Sequence, residues 1–305
     1  MPHPAPHGSG ALGDRFAALE MIRVVLLALA ATFAAESRAL QLVDDRGVLV
    51  SLERPAQRIV TLAPHLAEIA FSAGAGAKLV GVTSFSRHPA EAERLPVVAS
   101  SGRVDIERLI ALKPDLVLAW RSGNAPLQVA RLEHIGIPVF VTEVRMLADI
   151  PRIIRDVGVL GGSTELADAR AKEFATEAEA LRERYAGRRG VPVLLEIWHR
   201  PMLTVNGAHL ISDALRVCGG RNVFAAARTL TPLVSREQVL AARPEVIITS
   251  GSGSDALPAW KGFEYVPAVR DHRIYAIDPD ALTAQGPHVL EGVRAVCLQL
   301  DRARG

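Results

Sequence analysis

Only two cysteines, Cys218 and Cys297, occur in the 305 residues. So small a number leaves one possible intramolecular pairing, a single disulfide in an oxidising compartment, with a pair of buried thiols as the other option. Charge of one sign is also scarce. There are 35 basic against 33 acidic residues, a net charge of +2, which is no electrostatic footprint for a nucleic acid partner. No apolar run reaches the ~20 residues that span a bilayer. There is no HxH pair, no Cys–His spacing and no His-rich loop, so no metal centre is signalled. The G-x-S-x-G elbow of hydrolases is missing as well, and no Ser, His and Asp stand in catalytic motif context.

What is present is a globular composition, 49% hydrophobic and 22% charged, at a length that commonly makes two domains. Residues 21–39, MIRVVLLALAATFAAESRA, read as an export signal: one Arg, a short apolar run, then small residues. A buried helix or an uncleaved anchor is the competing reading. Residues 1–20 lack periodicity and fit a start assigned upstream of the true one. No Cys follows the apolar run, so no lipid anchor is expected there.

The mature chain is organised around a stretch it contains twice. DIERLIALKPDLVLAW at 105–120 returns 130 positions later as SREQVLAARPEVIITS at 235–250, with Glu107 falling on Glu237, Lys113 on Arg243 and Pro114 on Pro244. Each copy opens on a capping residue, Asp105 or Ser235, carries a glutamate in its first helical turn and closes at a Pro after a basic residue. A β-branched or leucine run follows, suited to a strand buried on both faces of a parallel sheet. The chain therefore reads as two related α/β lobes.

In order, 40–50 predicts an edge hairpin broken by Asp44, Asp45, Arg46 and Gly47. Strands are expected at 58–62, 79–82, 116–118, 138–141, 193–197, 246–248 and 274–277. Helices are expected at 66–73, 125–135, 147–160, 210–218 and 288–302. Residues 163–186 form the longest helical pattern, with Leu166, Ala169, Phe174, Ala178, Leu181 and Tyr185 at helical spacing. This helix is read as a rigid connector between a first lobe, 40–162, and a second, 188–305, with the connector itself at 163–187. Loops at strand C-terminal ends, where open α/β sheets hold ligands, carry Pro64, His65, Phe85, His88, Trp120, Trp198 and His199. The stretch Gly251 to Ala256 loosely fits the dinucleotide fingerprint G-x-G-x-x-A, but Pro258 argues against the helix that motif needs.

APHLAEIAFSAGAGAKLVGVT, SFSRHP, DIERLIALKPDLVLAWRSGN, VCGGRNVF and PLVSREQVLAARPEVIIT, in this order, resemble the periplasmic substrate-binding proteins of ABC importers of the cobalamin type. The resemblance runs from about Arg58 to the C-terminus. It implies two Rossmann-like lobes with parallel sheets joined by a single long helix, and a ligand cleft between them. It also implies a role as a binding protein and not an enzyme, with no cofactor and with cobalamin as transported cargo. A periplasmic location follows, with a chain that is monomeric when free and delivers to a permease and its ATPase. Glu107 and Glu237 match the glutamates, one per lobe, that dock on arginines of the permease, and Cys218 and Cys297 match a disulfide of close relatives. Trp120 matches a ligand-stacking tryptophan, Phe85 stands where relatives carry a tyrosine, and Asp280 matches a ligand-contacting aspartate. Trp198 is expected to supply the opposite wall.

The sequence departs from that pattern twice. Ser100-Ser101-Gly102 stands in place of a second tryptophan, and Ala284 replaces an arginine just after the cleft aspartate. The alternatives are haem or an iron-siderophore on the same scaffold, or a metal ion held by His65, His199 and Asp280. A structural or adhesive module is disfavoured by aromatics gathered at strand ends.

Overall fold

The apolar runs of the two repeat copies become the central strands of two separate sheets. The computed structural model describes residues 39–100, 102–250 and 260–305; residues 1–38, on which the expected export signal falls, Ser101 and residues 251–259, which include the glycine-bearing stretch, lie outside them. The hairpin comes first, β1 (Leu40–Val43) against β2 (Leu49–Leu52). Its turn is set by the Asp44 carboxylate, which accepts the N–H groups of Arg46 and Val48.

The first lobe continues with β3 (Ile59–Thr61), α1 (Pro64–Ser72), β4 (Leu79–Thr83), β5 (Val97–Ser100), β6 (Arg103–Val104), α2 (Ile106–Ala111), β7 (Leu116–Trp120), α3 (Pro126–His134) and β8 (Val139–Thr142). Its sheet has the order β6-β5-β4-β3-β7-β8 and is parallel except at β5–β6. Next come α4 (Asp149–Gly161) and the long α5 (Thr164–Tyr185). The second lobe holds β9 (Val191–Glu196), α6 (Leu210–Val217), β10 (Gly220–Asn222), α7 (Arg236–Ala242), β11 (Val246–Thr249), α8 (Pro267–Arg270), β12 (Ile274–Ala276), α9 (Pro279–Leu282) and α10 (Val289–Arg304). Its four strands are all parallel, in the order β10-β9-β11-β12.

Alternate strand residues serve different cores, as the pleat requires. Ile59, Leu116, Leu118 and Phe140 face a central core that Val246 and Ile248 of the other lobe also enter. Val60, Val117 and Val141 face a second core outside the first sheet, and Leu194 and Ile247 face a third outside the second.

The two repeat copies fold alike. The Asp105 carboxylate accepts the Arg108 N–H, and the Ser235 hydroxyl accepts the Gln238 N–H in a full capping box. Lys113 and Arg243 both take left-handed backbone, at φ 48° and 47°, so each chain turns sharply from helix into strand. The N–H of Asp115 then reaches Arg58 O while that of Glu245 reaches Pro192 O, which joins each copy to the neighbouring strand of its sheet, β3 or β9.

Several boundaries differ from expectation. The helix expected from 147 starts at Asp149, because the Asp149 carboxylate accepts the Arg145 and Met146 N–H groups and Leu147 N–H is taken by Asp213. Two residues past the helix expected over 210–218, Gly220 opens β10, a strand beside β9 that was not expected. The connector buries Ala167, Ala171, Phe174, Ala178 and Tyr185, whereas Leu166 and Ala169 point to solvent. Small residues choose this face because α4 lies close. A Cβ on Gly158 would fall on the Ala167 methyl. Gly158→Ala, which intrinsic propensity alone would make stabilising by ~1 kcal/mol, is therefore expected to destabilise the protein by about 1–3 kcal/mol through overpacking. Urea unfolding decides the sign.

Cys218, just after α6, and Cys297, in α10, form a disulfide. It ties two helices of the second lobe across 79 residues of sequence.

Candidate functional site: a cleft between the lobes

Strand β7 ends at Trp120, and the turn after it is fixed by Asn124. The Asn124 side chain accepts the Trp120 N–H at 2.7 Å and donates to Leu62 O at 2.9 Å, locking together the C-terminal ends of β7 and β3. Gly123 lies against the indole, where any Cβ would overlap the ring. The half-buried Trp120 ring meets the edge of His65, with centroids 5.4 Å apart and planes at 89°. His65 enters because α1 begins at Pro64, a residue whose missing N–H and fixed φ suit the first helical turn.

These groups line one side of a cavity of about 380 Å³. The first lobe contributes Pro64, His65, Glu68, Phe85, Arg87, His88 and Trp120, and the second contributes Ile197, His209, Ile211, Asp280, Thr283, Ala284 and Gln285. Phe85 stands at the rim, 70% exposed and in left-handed backbone at φ 66°. The structure thus brings Pro64, His65, Phe85, Trp120 and Asp280 to one cavity.

Trp198 is not among the lining residues. Its indole N–H donates to Arg200 O at 2.9 Å, its backbone bridges Leu203, and the side chain is 61% exposed. Ile197, His209 and Ile211 form the second-lobe wall in its stead. His199 is also apart, its Nδ1 bonded at 2.6 Å to Glu196, a carboxylate that Trp260 Nε1 shares from the lobe interior. His65, His199 and Asp280 therefore do not converge. Among the described residues no group of three or more His, Cys, Asp or Glu is placed to hold a metal ion.

Sequence reasoning missed Glu68, Arg87 and His209, and had His88 only as a residue of a cleft-side loop. Arg87 Nη1 reaches Asp280 Oδ2 across the cleft at 3.2 Å, and its guanidinium lies 5.5 Å from the Phe85 centroid. His88 stacks on His288 of the other lobe at 4.3 Å, and the Glu68 carboxylate accepts the His288 N–H at 2.5 Å. The loop motif SFSRHP carried the only sequence signal, since its polar residues sit at a strand C-terminal end.

Burial sets the charge of this wall. It pushes His65 down to about 3 and, helped by Arg145, His209 down to about 4, so both imidazoles are neutral. It pushes Glu68 up to about 7, against the His288 N–H bond and with some help from Glu291.

The linkage has a definite sign. Neutral buried imidazoles stabilise the fold above their ordinary value of 6.5, and that contribution is lost as pH falls toward 4 and 3. Protonated Glu68 works oppositely, its contribution being present below 4.5 and lost as pH rises through 7. Between those ordinary values unfolding takes up a proton at each histidine and releases one at Glu68. Stability therefore falls with acid, by roughly 1.4 kcal/mol per pH unit from these groups. His209→Asn keeps a helix cap, since His209 Nδ1 accepts the Ile211 N–H, but removes one proton. Its urea-unfolding free energy should lose about 1.4 kcal/mol per pH unit less than wild type between pH 5 and 6.5; equal slopes would contradict this assignment.

Two α/β lobes linked by one long helix, with an aromatic and largely uncharged cleft between them, define a small-molecule-binding protein of the two-lobe type. The chain belongs to the periplasmic binding protein family, whose model matches residues 59–281. It is similar to the vitamin B12-binding protein of Vibrio cholerae serotype O1, at 34% identity over 251 residues, covering 82% of this chain and 91% of that one. It is likewise similar to the vitamin B12-binding protein of Yersinia pestis, at 35% identity over 248 residues, covering 80% and 86%. Among solved structures, the periplasmic vitamin B12-binding protein BtuF of Vibrio cholerae superposes with a TM-score of 0.76 at 33% identity, over 82% of this chain and 98% of that one. The periplasmic haem-binding protein BhuT, in complex with two haems, superposes at 0.74 with 25% identity, over 83% and 100%.

Proposed function

We propose that this chain captures a corrinoid, cobalamin or its relatives, in the periplasm and delivers it to an ABC importer. The observation that carries the reading is the likeness to B12-binding relatives at 34% identity over 91% of their length. The cleft supports it. A flat macrocycle with neutral amides around its rim needs an aromatic wall and polar groups without excess charge. Trp120 and Phe85 offer the wall; His65 and His209 are neutral, and Arg87 is paired with Asp280. Haem is the second reading, favoured by the likeness to BhuT, but its two carboxylates would meet no unpaired cation among the described lining residues.

In this reading residues 1–39 are removed on export, and lobes 40–162 and 188–305 close on ligand about the connector 163–187. Pro64, His65, Phe85, Trp120 and Asp280 contact the cargo. Delivery uses Glu107 and Glu237, exposed in the first turns of α2 and α7 at equivalent positions of the repeat. Two carboxylates in a twofold pattern suit arginines on a pseudo-symmetric permease. The Ser235 hydroxyl holds the Glu237 carboxyl below its ordinary range, so it docks as an anion. The free protein is a monomer, and the permease with its ATPase is its partner.

The test is growth on limiting cobalamin of a strain that lacks its own periplasmic corrinoid binder and carries this chain with its cognate permease. Wild type should restore growth. Glu107→Ala with Glu237→Ala should abolish it while purified protein still binds cyanocobalamin. Growth undiminished in the double variant would remove the docking role.

A further inference from the structure

The charged groups at the cleft mouth form one pair that spans the lobes. Among the described residues lining the cavity, Arg87 is the single Lys or Arg, and its partner Asp280 comes from α9 of the facing lobe. Both side chains are about half exposed, 52% and 53%. An ion pair so exposed contributes little to stability. Its position is more telling. Phe85 flanks the guanidinium at 5.5 Å, and the 3.2 Å contact uses one guanidinium nitrogen and one carboxylate oxygen. The remaining donors of Arg87 and the other oxygen of Asp280 stay free for a ligand.

We propose that the Arg87–Asp280 pair is a selectivity device that reads a carboxamide on the ligand rim and rejects a carboxylate. The inference rests on the corrinoid reading above and deepens it. A primary amide has a carbonyl that accepts and an NH2 that donates, side by side. The pair offers the complement, Arg87 N–H to the carbonyl and Asp280 oxygen to the NH2. A carboxylate has acceptors only. It gains Arg87 at the cost of facing Asp280, a like charge that ligand binding would strip of water. Specificity of this kind needs a repulsive element as well as an attractive one, and Asp280 supplies it. Without Asp280 the free guanidinium would favour carboxylates, the groups it binds most strongly.

The experiment compares cobinamide, whose ring bears amides, with cobyrinic acid, in which they are carboxylates. Both are titrated calorimetrically into the wild-type chain, Asp280→Asn, and Asp280→Asn with Arg87→Ala, each checked for an unchanged circular dichroism spectrum. Wild type should bind cobinamide at least tenfold more tightly than cobyrinic acid. Asp280→Asn should shrink that ratio by tenfold or more, through a gain in cobyrinic acid affinity. Removing Arg87 as well should abolish the gain. A ratio within twofold of wild type in Asp280→Asn, with cobinamide still bound by wild type, would overturn the selectivity role and leave the corrinoid function standing. Wild type that takes up neither corrin would overturn both.

Discussion

Trp120→Ala should weaken cyanocobalamin binding by about 100-fold. The indole stands at the end of a central strand, braced by Asn124, backed by Gly123 and met edge-on by His65. A ligand that lies on it meets a surface already fixed, so little ordering entropy opposes binding. Losing one large aromatic face removes roughly 2–3 kcal/mol of contact, which is about a 30–150-fold change in Kd. Trp120 also packs partly against the central core, so Trp120→Phe is the control. It keeps an aromatic wall and should retain most of the affinity. Calorimetric titration of both variants checks the pair; binding by Trp120→Ala at wild-type strength would remove this residue from the site.

The second large effect is on stability. Cys218→Ser with Cys297→Ser should destabilise the protein by up to about 4–5 kcal/mol on the chain-entropy account of a loop this long. In a protein of this size that corresponds to a fall in Tm of roughly 10 °C. Both sulfurs are buried, Cys218 at 0% and Cys297 at 1% exposure, between helices that pack on the central core. Reductant should reproduce the effect in the wild type and leave the double variant unmoved. A double variant as stable as wild type would show that packing alone holds α6 to α10.

Much of this architecture was legible in the sequence because it is written locally. The repeat at 105–120 and 235–250 carries its own cap, helix, turn and strand, so it announced both lobes and placed Glu107 and Glu237 in equivalent turns. Trp120 and His65 were recoverable because a residue just past a buried strand in an α/β lobe reaches the ligand-facing end of the sheet. Two cysteines could pair in only one way.

The rest depended on distance. Arg87 and Asp280 are 193 residues apart, and no local pattern connects them. Glu68 read as one more helix residue; its carboxylate is met by the His288 N–H of the other lobe, and burial, with Glu291, raises its pKa against that bond. Trp198 was misplaced because strand β9 ends at Glu196 and the next loop turns its indole back onto Arg200. The buried face of α5 was half misread for a different reason. Where alanines are frequent, helical spacing fits more than one face, and the close approach of Gly158 selects among them.

The central claim, corrinoid capture in the cleft, is tested most directly by titrating the chain from Leu40 onward with cyanocobalamin and, in parallel, with haemin. One-to-one saturable binding of cyanocobalamin, much tighter than that of haemin, is the predicted result. Tight haemin binding without any for cyanocobalamin would contradict it and move the cargo to haem on the same fold.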